Sequence, residues 1–480
     1  MKINRILFVL TISMMFFTCY PLENKIGVFN GHGETITTNY VYDPYKTEEN
    51  PLRGFFPYIS EQYDTFPYSM EYFYVPLKEV MDNFDSYTFD LTLEPNLDEV
   101  ASRGHQTIFR VYLDYPDEPT GIPDFLLNGL TTYSYSDYGG GICPDYSNET
   151  LISTLESFID ELGKQYDGDV RIGFIELGLL GFWGEWHTYP HEEWFPNEGI
   201  QNRILYAYEK AFNNTRLLVR YPTADSSLLN IGYHDDSFAY ETIGADEWDF
   251  YNLLVASGED DKWKTEPIGG EVYPDIQKDL WDDFPPKDVQ NFTTCVECTH
   301  VSWLLDEDQF SAYFADRKIE RARAAALKMG YQYYLPKVFA YEINSSLEIS
   351  AQLTNVGNAP FYYPITLKVG IDNDFSPIAG YTMESPNISL LPGELESYNF
   401  SVPLVQITNA SAVMFKLDSS MVIRPIFFAN NETKPDGTLD LLPKIVHTEE
   451  SSIPFVELVL IIPITQIVIL IIKRVKTSKE

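Results

Sequence analysis

The stretch Ile172-Gly173-Phe174-Ile175-Glu176-Leu177-Gly178-Leu179-Leu180-Gly181-Phe182-Trp183-Gly184-Glu185-Trp186-His187 decides how this chain is read. It opens as an apolar run suited to a buried strand and passes into a loop crowded with Gly, Trp, Glu and His. Loops held by a rigid scaffold are where functional residues gather. Trp183 and Trp186 offer flat apolar faces on either side of Glu185. Such walls strip water from a carboxylate and raise its pKa, which makes a Glu a proton donor near neutral pH. Aromatic platforms beside an acid point to a carbohydrate site.

Working outward, strand-like runs alternate with helical stretches, the pattern of parallel βα units. The strands are expected at 54–59, 71–76, 107–113, 170–177, 216–221, 237–242, 267–272 and 300–304, with helices at 97–103, 149–165, 198–212 and 309–329. Within the second helix Leu151, Ile152, Leu155, Phe158, Ile159 and Leu162 recur at the spacing of one buried face. Eight strands in this length predict an α/β fold, a (β/α)8 TIM-type barrel over residues 40–335, with an open doubly wound sheet as the alternative. Beyond it the pattern changes to short alternating strands broken by Gly, Pro and Asn, which predicts a β-sandwich over 336–445.

The two ends read differently. Lys2 to Arg5 followed by the apolar run Ile6 to Phe17 has the shape of a secretory signal, expected over 1–20. Residues 453–472 are apolar enough and long enough for one transmembrane helix, preceded by a short stalk at 446–452. Lys473, Arg474, Lys476 and Lys479 follow and would keep residues 473–480 in the cytoplasm. The expected location is the cell membrane, with the bulk of the chain outside. Acceptor triplets for N-glycosylation begin at Asn148, Asn213, Asn291, Asn344, Asn387, Asn399, Asn409 and Asn431, in keeping with that placement. In an oxidising compartment Cys295 and Cys298 would pair with each other, or one of them with Cys143.

The net charge of −38 argues against nucleic acid, whose phosphates need Lys and Arg, and against anionic headgroups. No metal or cofactor is expected. The lone Cys-x-x-Cys has no second pair, and Pro190 breaks the helix that a His187/His191 pair would need.

In a barrel, function belongs at the C-terminal ends of the strands. Glu176 and Glu185 close the fourth strand, and Glu271 closes the seventh. Carboxylates from opposite sides of one mouth would flank a glycosidic bond, one protonating the leaving oxygen while the other attacks carbon or activates water. Arg110 and Arg220 sit on inward faces, where a strand buries Arg only against a counter-charge, and those carboxylates are the counter-charges at hand. The two arginines also hint at an anionic sugar. Asp114, Trp183, Trp186, His187, His234, Asp235, His300 and Trp303 complete the expected substrate-binding set.

The segment Asn50-Pro51-Leu52-Arg53-Gly54-Phe55 resembles the opening signature of a group of uncharacterised secreted barrel proteins, built from paired domains of unknown function. Phe109-Arg110, the loop Gly178 to His187, Val219-Arg220-Tyr221-Pro222, Gly232-Tyr233-His234-Asp235-Asp236, Gly269-Gly270-Glu271 and Met329-Gly330-Tyr331 carry the same likeness. The resemblance implies a glycoside-hydrolase-like barrel with a trailing β-sandwich and no established activity. A more distant likeness to retaining glycosidases implies Glu185 (or Glu176) as acid/base and Glu271 as nucleophile. This chain departs from their usual Asn-Glu pair, since Ile175 precedes Glu176 and Gly184 precedes Glu185. Two readings follow. The first is a surface glycoside hydrolase acting on extracellular polysaccharide or glycan. The second is a non-catalytic glycan-binding or adhesion protein using the same mouth.

Overall fold

The computed structural model describes residues 35–59, 66–311, 314, 317–408 and 410–443. The signal, stalk, transmembrane and tail segments expected at the two ends lie outside the described residues, as does Asn409. No helix among the described residues is long and apolar enough to cross a membrane.

Eight parallel strands follow one another in chain order around a barrel. They are β1 (Gly54–Phe56), β2 (Met70–Pro76), β3 (Gln106–Tyr112), β4 (Ile172–Glu176), β5 (Arg216–Val219), β6 (Ile231–Phe238), β7 (Ile268–Val272) and β8 (Trp303–Leu305). Each pairs with its neighbour, β8 returns to β1, and a bridge between Tyr58 and Tyr72 closes the ring. The closing bonds run from the Ile59 amide to the Tyr72 carbonyl (2.8 Å) and from the Tyr72 amide to the Pro57 carbonyl (3.0 Å). The open-sheet alternative is excluded by that closure. Helices α1 (Leu93–Ser102), α2 (Glu149–Tyr166), α3 (Glu198–Ala211), α4 (Phe250–Ser257), α5 (Phe292–Thr299) and α6 (Arg317–Ala326) follow β2, β3, β4, β6, β7 and β8.

Alternation along the strands sorts the residues. Phe73, Phe109, Ile175, Leu217 and Leu304 face the helices in one core, while Tyr72, Ile108, Phe174, Leu218 and Trp303 fill the barrel interior in another. Gly269 makes room for that filling, since a Cβ there would lie 2.1 Å from the Trp303 ring. One strand was expected too late. The sixth runs over Ile231–Phe238, not 237–242, so His234, Asp235 and Asp236 belong to the strand itself. Tyr233 and Phe238 supply its helix-facing side, and a register shift between Asp235 and Phe238 breaks the alternation along the strand.

The chain after the barrel forms two antiparallel sheets. One joins β9 (Tyr333–Ile343), β10 (Ser346–Asn355) and β12 (Leu395–Pro403), and the early segment Ile36–Asn39 pairs along β9. The other joins β11 (Thr366–Ile371), β13 (Ala412–Asp418) and β14 (Leu439–Pro443). Their apolar faces share one core, to which Leu353, Phe400, Val369 and Phe415 belong. That core is continuous with the barrel interior. The contacts fall at the N-terminal ends of the barrel strands: Tyr363 Oη donates to the Gly173 carbonyl (2.6 Å) and Gln106 Nε2 to the Met421 carbonyl (2.9 Å). Asn50 exchanges two hydrogen bonds with Phe427, and Arg53 is buried against the carbonyls of Thr47, Ala326 and Met329. The two sheets therefore floor the barrel, and the opposite mouth is left for chemistry.

Cys143, Cys295 and Cys298 are free thiols, which corrects the expected disulfide. Cys295 and Cys298 sit three apart on α5, where Cβ atoms are about 5–6 Å apart. A disulfide needs about 3.8 Å.

Candidate active site

The loop leaving β4 is built by close approach. Gly178 passes beneath β3 so tightly that a Cβ would meet the Val111 carbonyl oxygen at 1.9 Å. Leu179, Trp183 and Trp186 adopt left-handed backbone, as do Gly181 and Gly184, and these turns curl the chain back over the mouth. Trp186 locks the curl from below, its indole N–H donating to the Leu177 carbonyl at 2.7 Å. Glu185 is thereby held over the barrel with its side chain 16% exposed.

Beneath it, Arg110 is the hub. It is the register partner of Glu176 across β3 and β4. Its Nη2 lies 2.6 Å from Glu176 and 2.7 Å from Asp236, and its Nη1 lies 3.3 Å from Glu185. Tyr72 Oη donates to Glu176 at 2.7 Å, and His234 Nδ1 meets Asp236 at 2.8 Å. Burial works against ionisation of Asp236, but Arg110 and His234 outweigh it and hold its carboxyl well below the usual range. Arg220 lies at the edge of this network, 3.6 Å from Asp235 and 3.8 Å from Asp236.

Glu271 ends β7 on the other side of the mouth, 9% exposed, with Gln277 Nε2 donating to it at 3.3 Å. Its surroundings are the reverse of those of Glu185. Burial, then the negative charges of Asp236 and Glu185, push its pKa well up, against the pull of Arg110. Tyr58 and Tyr115 are within electrostatic reach of both Glu271 and Glu185. Tyr74 packs edge-on against Tyr115 at 5.1 Å, and Tyr115 against Trp183 at 6.4 Å, so phenol rings line one wall.

The ligand atoms of Glu176, His234 and Asp236 lie within 4.8 Å of one another, a spacing a cation could bridge. Arg110 Nη2 sits among them and supplies that positive charge, with His234 Nδ1 at 3.3 Å. The arrangement can therefore hold one carboxyl protonated and another paired to a cation across a single opening.

Of the expected residues, the structure brings Glu185, Glu271, Arg220, His187 and Trp183 to the mouth, His187 Nε2 lying 3.5 Å from Glu185, with Arg110 buried beneath them. Glu176 and His234 are buried beneath, within the Arg110 network. Asp235 turns outward to accept from Thr242 Oγ1 at 2.7 Å, and burial raises its pKa to about 6. Asp114 is buried under a hairpin, accepting from Tyr135 Oη at 2.7 Å, with its pKa likewise raised by burial to about 6. Three expectations are corrected. Trp186 is wholly buried and offers no face to a ligand. Trp303 opens β8 and is core filling against Phe56 and Phe174. His300 precedes β8 and so lies at the floor, stacked on Trp263 at 3.5 Å and hydrogen-bonded to the Asn358 carbonyl at 2.5 Å. Tyr58, Tyr72, Tyr74 and Tyr115 were missing from the expected set. The alternation of Tyr72 and Tyr74 with Phe73 was a legible sign of inward phenols.

Neither a scan of protein-family models nor a search of curated proteins gave a match. Among solved structures the chain is similar to the GH5_18 protein of Bifidobacterium longum in complex with Manβ1-4GlcNAc, at 10% identity and TM-score 0.34, covering 54% of this chain and 68% of that one. It is also similar to a family 39 glycoside hydrolase of Bacteroides cellulosilyticus, at 10% identity and TM-score 0.32, covering 74% and 81%. An exo-β-1,4-mannosidase of an Opitutaceae bacterium matches at 9% identity and TM-score 0.35, covering 60% and 61%.

Proposed function

We propose that this chain is a glycoside hydrolase of extracellular polysaccharide or glycan, with Glu271 and Glu185 as its working carboxylates. One observation carries the reading: the two carboxylates face one phenol-lined mouth with opposite electrostatic surroundings. Glu271, buried among like charges, keeps a proton that it donates to the leaving glycosidic oxygen. Glu185, paired with Arg110, attacks the anomeric carbon or activates water on the opposite face. These roles are the reverse of those implied by the distant resemblance. Glu176 positions Arg110 and does not touch substrate.

The hint of an acidic sugar loses its support. Arg110 commits its Nη1 and Nη2 to Glu176, Asp236 and Glu185, and Arg220 faces Asp235 and Asp236. A neutral sugar suits a mouth in which carboxylates outnumber arginines. On the sequence evidence at both ends, the enzyme works outside the cell and is held by the terminal apolar segment.

The test is release of reducing ends from a panel of neutral polysaccharides. Glu185→Gln and Glu271→Gln are each expected to lower kcat by about 10²–10⁴ without unfolding the protein. Glu271→Gln should keep activity on aryl glycosides whose phenol leaves without a proton, and Glu185→Gln should not. Full activity in either variant removes that residue from the reaction. Binding of glycans with no cleavage anywhere in the panel would favour the glycan-binding reading.

A further inference from the structure

The loop between β3 and α2 carries a hairpin, Thr132–Tyr135 paired with Gly141–Pro144, and at its tip is Tyr138. Tyr138 is 47% exposed. Its backbone is left-handed, with φ 51° and ψ 29°, a conformation that costs free energy for a residue other than Gly or Asn.

The hairpin is firmly held. Tyr135 stacks on Phe182 at 4.4 Å and reaches Asp114, and Tyr133 stacks on Trp194 at 5.2 Å. Asp137 accepts from or pairs with His191 Nε2 at 2.9 Å, and the Asp117 amide donates to the Gly140 carbonyl at 2.8 Å. From this base the Tyr138 ring meets Trp183 edge-on at 5.0 Å. Tyr138 lies within electrostatic reach of Glu185 and also of Tyr273, which follows β7 and stacks on Tyr240 at 4.3 Å. Tyr138 thus stands against Trp183 on the wall from β4, within reach of Glu185 and of Tyr273 after β7.

We propose that Tyr138 is a substrate-binding residue whose ring stacks on a sugar unit next to the bond that is cut, between Trp183 and the Tyr240–Tyr273 pair. This rests on the carbohydrate reading of the mouth. A ring already fixed by its hairpin loses little freedom on binding, so the stack contributes to affinity and not to folding.

The test uses the full chain carrying Glu271→Gln, which slows turnover of the hexaoses, titrated with hexaoses of β-linked glucose, mannose and N-acetylglucosamine while tryptophan fluorescence is read. Adding Tyr138→Ala or Tyr138→Asn should weaken the Kd of the bound hexaose about tenfold, equal to about 1.4 kcal/mol. Tyr138→Phe should stay within about twofold of the parent, because the ring face does the binding. Asn tolerates left-handed backbone, so Tyr138→Asn should melt no lower than the parent while binding worse, a split that a purely structural Tyr138 would not produce. Undiminished binding in Tyr138→Ala, or a loss in Tyr138→Phe as large as in Tyr138→Ala, overturns the stacking role and leaves the carbohydrate reading in place. A parent that binds none of the hexaoses removes both.

Discussion

Glu271 and Glu185 share a residue type and a barrel mouth, yet their neighbours give them different work. Glu271 is surrounded by burial and by carboxylates, while Glu185 faces Arg110 and His187. A carboxyl whose folded pKa lies above its unfolded value adds stability that is complete below the unfolded pKa and lost as pH rises toward the folded one. Glu271→Gln removes that loss. Its Tm should therefore exceed that of wild type at pH 7, and the gap should close below the ordinary carboxylate pKa of 4.5. A constant Tm difference across that range would show that the folded protein does not hold the proton on Glu271. Both glutamates and Arg110 were legible in the sequence, because inward alternation and strand-end position are local properties. The tryptophans were not. Trp183 and Trp186 are three residues apart and alike in type, but left-handed turns send one to the mouth and the other to the core.

At the scale of the element, the β4 loop is shaped by what it cannot avoid touching. Gly178 lies against Val111 and Arg110, whose side-chain Cγ would be 2.9 Å from an added Cβ. Gly178→Ala should force β3 and the loop apart. Overpacking of this kind costs about 1–3 kcal/mol, and it would misplace Glu185 as well as lower Tm. Calorimetry and reducing-end release should fall together, and an unchanged Tm would mean that the loop yields more freely than its packing implies. β6 shows the opposite case, where the element itself was misplaced by sequence. His234 and Asp236 share the inward side, but two adjacent aspartates argue against strand propensity, and their burial is bearable only because Arg110 and Arg220 stand opposite.

For the whole molecule, the β-sheets after the barrel act as its floor. Phe174, Leu218 and Trp303 inside the barrel belong to the same core as Leu353 and Phe400 beyond it. A chain lacking residues 333–443 would expose that apolar floor and lose the partners of Asn50 and Gln106. It should be insoluble or cut rapidly by protease under conditions where the full chain survives. A soluble, cooperatively melting barrel alone would contradict the shared core.

Periodicity and charge, which any short window of sequence carries, determined the barrel, its eight strands save one, the change to alternating strands after it, and the carboxylates at the ends of the fourth and seventh strands. The three-dimensional packing alone decided that Trp186 and Trp303 fill the core and that His300 is held at the floor against Trp263 and Asn358. It also decided that both Nη atoms of Arg110 are held by carboxylates from other strands and that Glu185 and Glu271 have opposite surroundings. The reason is physical: alternation depends on neighbours in the chain, whereas burial and local field depend on groups brought together from strands tens of residues apart.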